Sequence, residues 1–382
     1  MQMVAASAVR EGMYVAADVR DDQGRTLIAR GQRIGQHHIV RLRKFRIEAI
    51  FIDPDHGVQA DQPARSTIRE RCERVLEQCI TGTMQEFSQK RLVIDAAAVR
   101  EAVDCLVAAL VRSRNALITL SDVAAGTDRF LQHAVNTAVL ATILGVDLRV
   151  PEAMLKDLAA GMLFHDIGKL FLPEQVTALQ GLPSAEDVAV LQQHPQVGCE
   201  HLLRSGAVSS AAAAIVLRHH ELLDGSGFPH GVSGDRLSTL MQIASVAEVY
   251  DTLTSSQFGL PPAMPDVAVS YLIANAGTLF AREVVAALCR RVALYPKGCA
   301  VLLNSGEIGV VAGTLPNAPT RPVVLVHFDR SLNRLQEPMI VDLAQDAGRC
   351  VNRSASTMEE LMRLRDHPAT VPPINPLLAH LG

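Results

Sequence analysis

The spacing of apolar residues changes along the chain and separates a β-rich start from a helical middle. Apolar runs broken by Gly, Asp and Asn turns predict strands at Met13–Val19, Thr26–Ala29 and Glu48–Ile52, with a short helix around His38–Lys44. The Pro-, Asp- and Gln-containing segment 54–63 is typical of a linker. From Thr67 to about Thr119, apolar residues recur every three or four positions, which predicts helices.

Residues 121–294 continue as a run of helices separated by short loops. The best-marked helix is predicted to begin at Pro151, a residue suited to the first helical position, and to continue through Leu170. After residue 298, β-branched segments return at Ala300–Leu303, Gly309–Val311 and Val323–Phe328, and a Pro-rich tail follows from Asp366. We therefore expect a multi-domain, mainly α protein: an N-terminal β-rich module (1–60), a helical connector (61–120), an all-α domain (121–294), and a C-terminal β-module with its tail (295–382).

Composition narrows the classes of partner and compartment. The net charge of −4 gives no electrostatic reason to bind nucleic acid, so neither DNA nor RNA is an expected partner, and a phosphate-bearing ligand must be held by local groups. The 7 cysteines are scattered and form no CxxC pair, which suits a reducing cytosol. The apolar stretches are shorter than the ~20 residues of a membrane span. A cytoplasmic protein without membrane insertion is expected.

The first candidate chemical motif is Phe164-His165-Asp166-Ile167-Gly168-Lys169, which lies inside an otherwise apolar segment. On the predicted helix, Lys169 lies on the same face as His165 and Asp166. Buried charge is costly unless it is compensated, and a metal ion held by His165 and Asp166 would compensate it. Lys169 would then be close enough to meet a phosphate oxygen. The alternative is a helix end in solvent with an incidental His-Asp pair.

A second motif, His219-His220-Glu221, is followed by Asp224-Gly225-Ser226-Gly227-Phe228-Pro229. Adjacent helical residues point about 100° apart, so these two histidines can approach a two-metal site from different sides. Gly225 and Gly227 permit a tight turn that lets the backbone close on a ligand. Three further candidates sit in mostly apolar surroundings: His133, His194 and Asp251. Mixed imidazole and carboxylate ligands favour iron or manganese over zinc.

Taken in order, six motifs resemble those of the HD-GYP domain, a branch of the HD metal-dependent phosphohydrolases that cleaves cyclic di-GMP. They are His133-Ala134-Val135-Asn136, His165 to Lys169, His194-Pro195-Gln196-Val197-Gly198, His219-His220-Glu221, Asp224 to Pro229, and Val249-Tyr250-Asp251-Thr252-Leu253-Thr254-Ser255. The β-rich start and Tyr295-Pro296-Lys297-Gly298 resemble modules that flank this domain. The resemblance covers most of the chain.

The resemblance implies an all-α HD-type domain with two divalent ions, iron or manganese. It implies seven metal ligands: His133, His165, Asp166, His194, His219, His220 and Asp251. Asp166 would bridge the ions, and Asp166 and Lys169 would be catalytic. Lys169, Gly225, Gly227, Phe228 and Pro229 would contact the substrate. The ions would activate a water that attacks phosphorus, giving pGpG or GMP.

Four positions depart from the family pattern. Phe228 replaces a tyrosine, so one hydroxyl is lost. Arg129 stands where three-metal members have a glutamate, so two metals are expected. The segment 256–260 lacks the usual basic residues that hold substrate phosphate, and Leu179 replaces a lysine.

Three functions therefore stay open. The chain is a cyclic di-GMP phosphodiesterase, a metal-bearing cyclic di-GMP sensor or partner-binding regulator with little turnover, or an HD phosphohydrolase for another nucleotide. Dimerisation through the connector helices and protein partners at the glycine-rich loop are further possibilities.

Overall fold

The structure is a computed structural model that describes residues 94–112, 129–179, 181–255, 262–315 and 318–366, with short stretches of residues 2–53 and 73–77. In the N-terminal stretch, β1 (Gln2–Ala5), β5 (Ala49–Asp53) and β2 (Tyr14–Val15) form an antiparallel sheet in the order β1-β5-β2. A separate hairpin pairs β3 (Val19–Arg20) with β4 (Thr26–Ile28). The three predicted strands of this region thus have described counterparts. The predicted linker 54–63 lies outside the described residues.

The centre of the chain is helical, which confirms the mainly α fold class. Its helices are α1 (Ala96–Arg112), α2 (Arg129–Asp147), α3 (Glu152–Leu163), α4 (Glu174–Thr177), α5 (Ala185–Leu191), α6 (His194–Ser205), α7 (Ser210–Arg218), α8 (Thr239–Thr254), α9 (Pro265–Ala274) and α10 (Arg282–Arg291). Two 3₁₀ turns, Ile167–Phe171 and Gly234–Arg236, interrupt them. Of the helices that the structure describes, none is long and apolar enough to cross a membrane.

One hydrophobic core joins most of these helices. Leu140 of α2, Leu158 of α3, Val216 of α7 and Val246 of α8 are fully buried within it. Helix α8 is buried along almost its whole length, so its polar side chains are enclosed by neighbouring helices. The core therefore fixes the ends of α2, α3, α7 and α8 against one another.

The predicted helix from Pro151 to Leu170 ends earlier than expected, and this prediction is wrong beyond Leu163. Helix α3 stops at Leu163, and His165 and Asp166 lie in a turn before the 3₁₀ segment. A Cβ added to Gly168 would overlap the carbonyl oxygen of His194, so a glycine is required where this turn meets α6. The close approach of the turn to α6 places His165 and Asp166 beside His194.

The C-terminal module is a five-stranded antiparallel sheet in the order β10-β6-β7-β8-β9. Its elements are β6 (Ala300–Leu303), β7 (Ile308–Leu315), β8 (Ala318–Phe328), β9 (Arg334–Asp342), β10 (Val351–Ala355) and a closing helix α11 (Met358–Asp366). The sheet rests on the helical domain, where Ser354 Oγ donates to Asp266 Oδ1 over 2.6 Å and Met264 packs against the sheet's core.

Candidate active site

Five histidines from four segments converge inside the helical domain. His133 comes from α2, His165 from the turn after α3, His194 from the start of α6, and His219 and His220 from the end of α7. All five are buried. With Asp166 they form two clusters that could hold a metal ion, one of His133, His165 and Asp166 and one of His194, His219 and His220. The atoms within each cluster that could bind an ion lie within 4.8 Å of one another.

Hydrogen bonds fix which nitrogen of each ring faces the centre. Nδ1 of His165 lies 2.6 Å from the carbonyl oxygen of Met162, Nδ1 of His194 lies 2.6 Å from that of Leu191, and Nδ1 of His219 lies 2.7 Å from that of Val216. Since a carbonyl oxygen only accepts, each Nδ1 carries the proton and donates it. Each Nε2 therefore presents a lone pair. Anchoring through the second nitrogen is typical of metal-binding histidines.

These lone pairs meet one another in two places. Nε2 of His133 lies 3.0 Å from Nε2 of His165, and Nε2 of His194 lies 3.2 Å from Nε2 of His219. Two acceptor nitrogens at this distance repel each other unless a proton or another cation lies between them. The donor set thus fits a cation at each cluster.

Asp166 lies between the two clusters. Its Oδ2 is 3.6 Å from Nε2 of both His133 and His165, and its Oδ1 is 3.2 Å from Nε2 of His194. Oδ1 is buried and makes no well-formed hydrogen bond within the described part of the chain. Lys169 Nζ donates to Oδ2 over 2.6 Å from a side chain that is 31% exposed. One carboxylate therefore faces both clusters, with a partly exposed ammonium group beside it.

A further buried acid, Glu248 of α8, was not predicted from the sequence. It is 2% exposed, and its Oε2 lies 3.1 Å from Nε2 of both His133 and His165. This oxygen has no well-formed hydrogen bond among the described residues. Glu248 thus completes the first cluster as a fourth donor. The available signal was a glutamate inside an otherwise apolar helix, three residues before the predicted Asp251.

Asp251 is predicted to bind metal, but its carboxylate faces the Nδ1 side of the His133 ring rather than the Nε2 side. Its Oδ2 accepts from Nδ1 of His133 over 2.7 Å and from Ser255 Oγ over 3.1 Å, and its Oδ1 accepts from Asn136 Nδ2 over 3.0 Å. It therefore lies behind the His133 ring, and the carboxylate in front of that ring belongs to Glu248. This geometry favours an orienting role for Asp251.

The electrostatics keep Asp166, Glu248, His194, His219 and His220 in the forms that bind cations. Burial alone would lower the pKa of His133, but Glu248 and Asp251 beside it outweigh burial and raise this pKa well above the usual value. Burial, with the neighbouring imidazoles, lowers the pKa of His219 and His220 well below the usual value, and burial also lowers the pKa of His194. Burial alone would raise the pKa of the Asp166 and Glu248 carboxyls. Lys169 and His165 beside Asp166, and His133 and His165 beside Glu248, outweigh it and hold both pKa values well below the usual range. The carboxylates are therefore ionised.

The glycine-rich loop at 224–229 encloses one edge of the second cluster. The Phe228 ring stacks on His220 with a centroid distance of 4.4 Å and an interplanar angle of 20°. A Cβ at Gly227 would overlap the carbonyl oxygen of His220, and Gly225 has a φ of +82°. Glu221 anchors the far side of the loop, where Oε1 and Oε2 accept from the backbone N–H groups of residues 230 and 232. The buried Phe228 ring thus supports His220, and its role against substrate stays a prediction.

Two family models and several relatives match parts of this chain. Residues 119–284 match the model of the HD domain, and residues 300–361 match that of a KOW domain associated with the HD domain. A relative from Pseudomonas aeruginosa, named a cyclic di-GMP phosphodiesterase, is 26% identical over 81% of this chain and 80% of its own length. The HD-domain match and this relative support the HD-GYP family for this chain.

Two more proteins are similar to this chain. A cyclic di-GMP phosphodiesterase response regulator of Xanthomonas campestris is 36% identical over 43% of this chain and 43% of its own length. The chain therefore spans most of the Pseudomonas relative but less than half of the Xanthomonas relative. A solved HD-GYP-type protein of Bdellovibrio bacteriovorus matches 75% of this chain and 97% of its own, with 18% identity and a TM-score of 0.45.

Proposed function

We propose that this HD-GYP chain is a metal-dependent phosphodiesterase that hydrolyses cyclic di-GMP to pGpG or GMP. The observation that carries the proposal is the convergence of imidazole Nε2 lone pairs on two clusters bridged by Asp166. The names of its relatives from Pseudomonas and Xanthomonas support the substrate. Two divalent ions, when bound, would supply an activated water and neutralise charge on the phosphate oxygens.

Residues of the chain would bind the ions, orient a ligand and stabilise negative charge. His133, His165, Asp166 and Glu248 would hold one ion, while His194, His219, His220 and Asp166 would hold the other. Asp251 would orient His133 through its Nδ1, as outer-shell carboxylates commonly do. Lys169 is partly exposed beside Asp166 and would stabilise the negative charge that grows on phosphorus-bound oxygens. The mixed set of five imidazoles and two carboxylates favours iron or manganese.

The decisive experiment measures metal and turnover in one sample. We expect protein purified without oxygen to carry about two iron or manganese ions per chain and to convert cyclic di-GMP to a linear product. His165→Ala and Asp166→Ala should lose both metal and turnover. His327→Ala, which removes a half-buried imidazole from strand β8, should keep both and serves as the matched control.

The outcomes separate the competing functions. Two metals without turnover would favour a sensor of cyclic di-GMP or an enzyme for another nucleotide, and a panel of cyclic dinucleotides would distinguish these. Absence of metal under every loading condition would refute the proposal. Dimerisation through the connector helices and protein contacts at the loop stay predictions for solution measurements.

A further inference from the structure

A pocket of about 600 Å³ lies where the helical domain meets the C-terminal sheet. His133 lines it, so the pocket adjoins the first metal-binding cluster, and Asp251 and Asn136 line it from the same side. It is also lined by the segment before β6, including Lys297 and Cys299, and by Ser356 beyond β10. The volume falls within the range of small-molecule sites, which is roughly 300–1,000 Å³.

Two buried polar atoms at this pocket lack partners. The Tyr250 hydroxyl and Asn136 Oδ1 are both buried without a hydrogen bond among the described residues, and both residues line the pocket. A buried polar group without a partner is destabilising, so such groups usually meet a ligand or an ordered water. Here one can donate and the other can accept, but both atoms are covered, so a base would bond to them only after the pocket wall shifts.

The charges at the pocket are also arranged for an anion. Arg129 from α2 and Lys297 from the segment before β6 line it, and neither forms an ion pair within the part of the chain that the structure describes. The carboxylate in the wall, Asp251, is already bonded to His133, Asn136 and Ser255. Pro262, Ala263 and Pro296 add an apolar surface. The pocket thus presents two cations and an apolar surface.

A cyclic dinucleotide has two phosphodiesters and two purines. When one phosphodiester occupies the metal centre, the second phosphate and a base must lie in an adjoining space. We propose that this pocket is that space, with Lys297 and Arg129 binding the second phosphate and the C-terminal sheet forming part of the substrate site. The inference rests on the proposed function and assigns substrate binding to the C-terminal module.

The test compares two substrates in the full-length, metal-loaded protein. Cyclic di-GMP would reach the pocket, whereas bis(p-nitrophenyl) phosphate carries one phosphodiester and would occupy only the metal centre. We expect Lys297→Ala and Arg129→Ala each to raise KM for cyclic di-GMP roughly tenfold, the lower end for a charge-assisted bond because Lys297 is exposed. Turnover of bis(p-nitrophenyl) phosphate should stay within about twofold. The control Arg334→Ala removes an exposed charge from β9 of the same module and should change neither.

Tyr250→Phe distinguishes a hydroxyl that binds the ligand from one that is only part of the fold. It removes only the unpartnered hydroxyl, so the variant should unfold at a higher temperature while its KM for cyclic di-GMP rises. A buried hydroxyl with no ligand would give the first effect without the second.

An unchanged KM for cyclic di-GMP in both Lys297→Ala and Arg129→Ala would overturn the inference. An equal loss of kcat/KM with cyclic di-GMP and with bis(p-nitrophenyl) phosphate would also overturn it. If the wild-type protein does not hydrolyse cyclic di-GMP, the proposed function fails by itself, and titration calorimetry with cyclic di-GMP then decides about the pocket. Weaker binding by Lys297→Ala than by Arg334→Ala would support the pocket as a ligand site. Equal affinities, or no binding by the wild-type protein, would refute it.

Discussion

Replacing Glu248 by glutamine tests the residue that the sequence reasoning missed. The change keeps the shape of the side chain and removes its charge. Glu248 Oε2 lies 3.1 Å from two imidazole nitrogens and is buried, so the carboxylate has no solvent alternative. If it is a metal ligand, Glu248→Gln should weaken the first site and leave the cluster of His194, His219 and His220 unaffected.

The magnitude follows from how ligands share binding energy. Four-ligand sites in small proteins bind a divalent ion with about 10–16 kcal/mol, or roughly 3 kcal/mol for each ligand. Losing one ligand should therefore weaken that site by about 100-fold or more. Asp251→Asn removes a carboxylate from behind His133, and substitutions of such outer-shell residues lower metal affinity roughly 10- to 100-fold. The ligand substitution should thus have the larger effect, although both carboxylates belong to α8.

Metal content after dialysis against a graded chelator series measures both variants in parallel. We expect Glu248→Gln to retain about one ion per chain at chelator strengths where the wild type retains about two, and Asp251→Asn to lie between them. Glu248→Asp, which restores the charge on a shorter side chain, should recover part of the loss. Full occupancy in Glu248→Gln together with a one-ion Asp251→Asn would refute the assignment and return the ligand role to Asp251.

Further predictions concern the loop, the turn and the response to pH. Phe228→Ala should unstack His220 and cost about 3 kcal/mol or more of unfolding free energy, whereas Phe228→Tyr keeps the ring and should retain activity; urea unfolding and turnover check this. Gly168→Ala should lower the melting temperature and turnover together because its Cβ meets the His194 carbonyl, and a variant as stable as the wild type would contradict the packing. In metal-free protein, burial depresses the pKa of His194, His219 and His220, so the unfolded chain takes up these protons first as pH falls. Unfolding free energy measured in urea should therefore drop by about 2 kcal/mol between pH 6.5 and 5.5, because the raised pKa of His133 opposes part of the change, and a rise would contradict this.

The sequence predicted the helical domain and the five converging histidines because these features are local. Periodicity marks helices, and adjacent His-His and His-Asp pairs inside apolar runs are visible without a structure. Glu248 has no adjacent polar residue of this kind, since Ala247 and Val249 flank it in α8. Which of two carboxylates on one helix faces the centre depends on the rotation of α8 against α2, and the sequence does not contain that rotation.

The end of α3 escaped prediction for a related reason. Apolar spacing continues through Leu170, so periodicity alone extends the helix. The chain turns after Leu163 because Gly168 packs against the backbone of α6, a contact between segments about 30 positions apart. Tertiary packing therefore overrode the local pattern at the point where His165 and Asp166 must face the same centre.

The cations that could bind substrate phosphate are also hard to recognise from the sequence. In the sequence, segment 256–260 lacks basic residues and position 179 is a leucine, which suggests weak phosphate binding. In the structure, Lys297 and Arg129 reach one pocket from positions 168 residues apart in the chain. A charge count beside each motif cannot detect such a pair. Because the protein's net charge of −4 repels an anionic ligand, cations placed by the fold must supply the local attraction, and the C-terminal sheet supplies one of them.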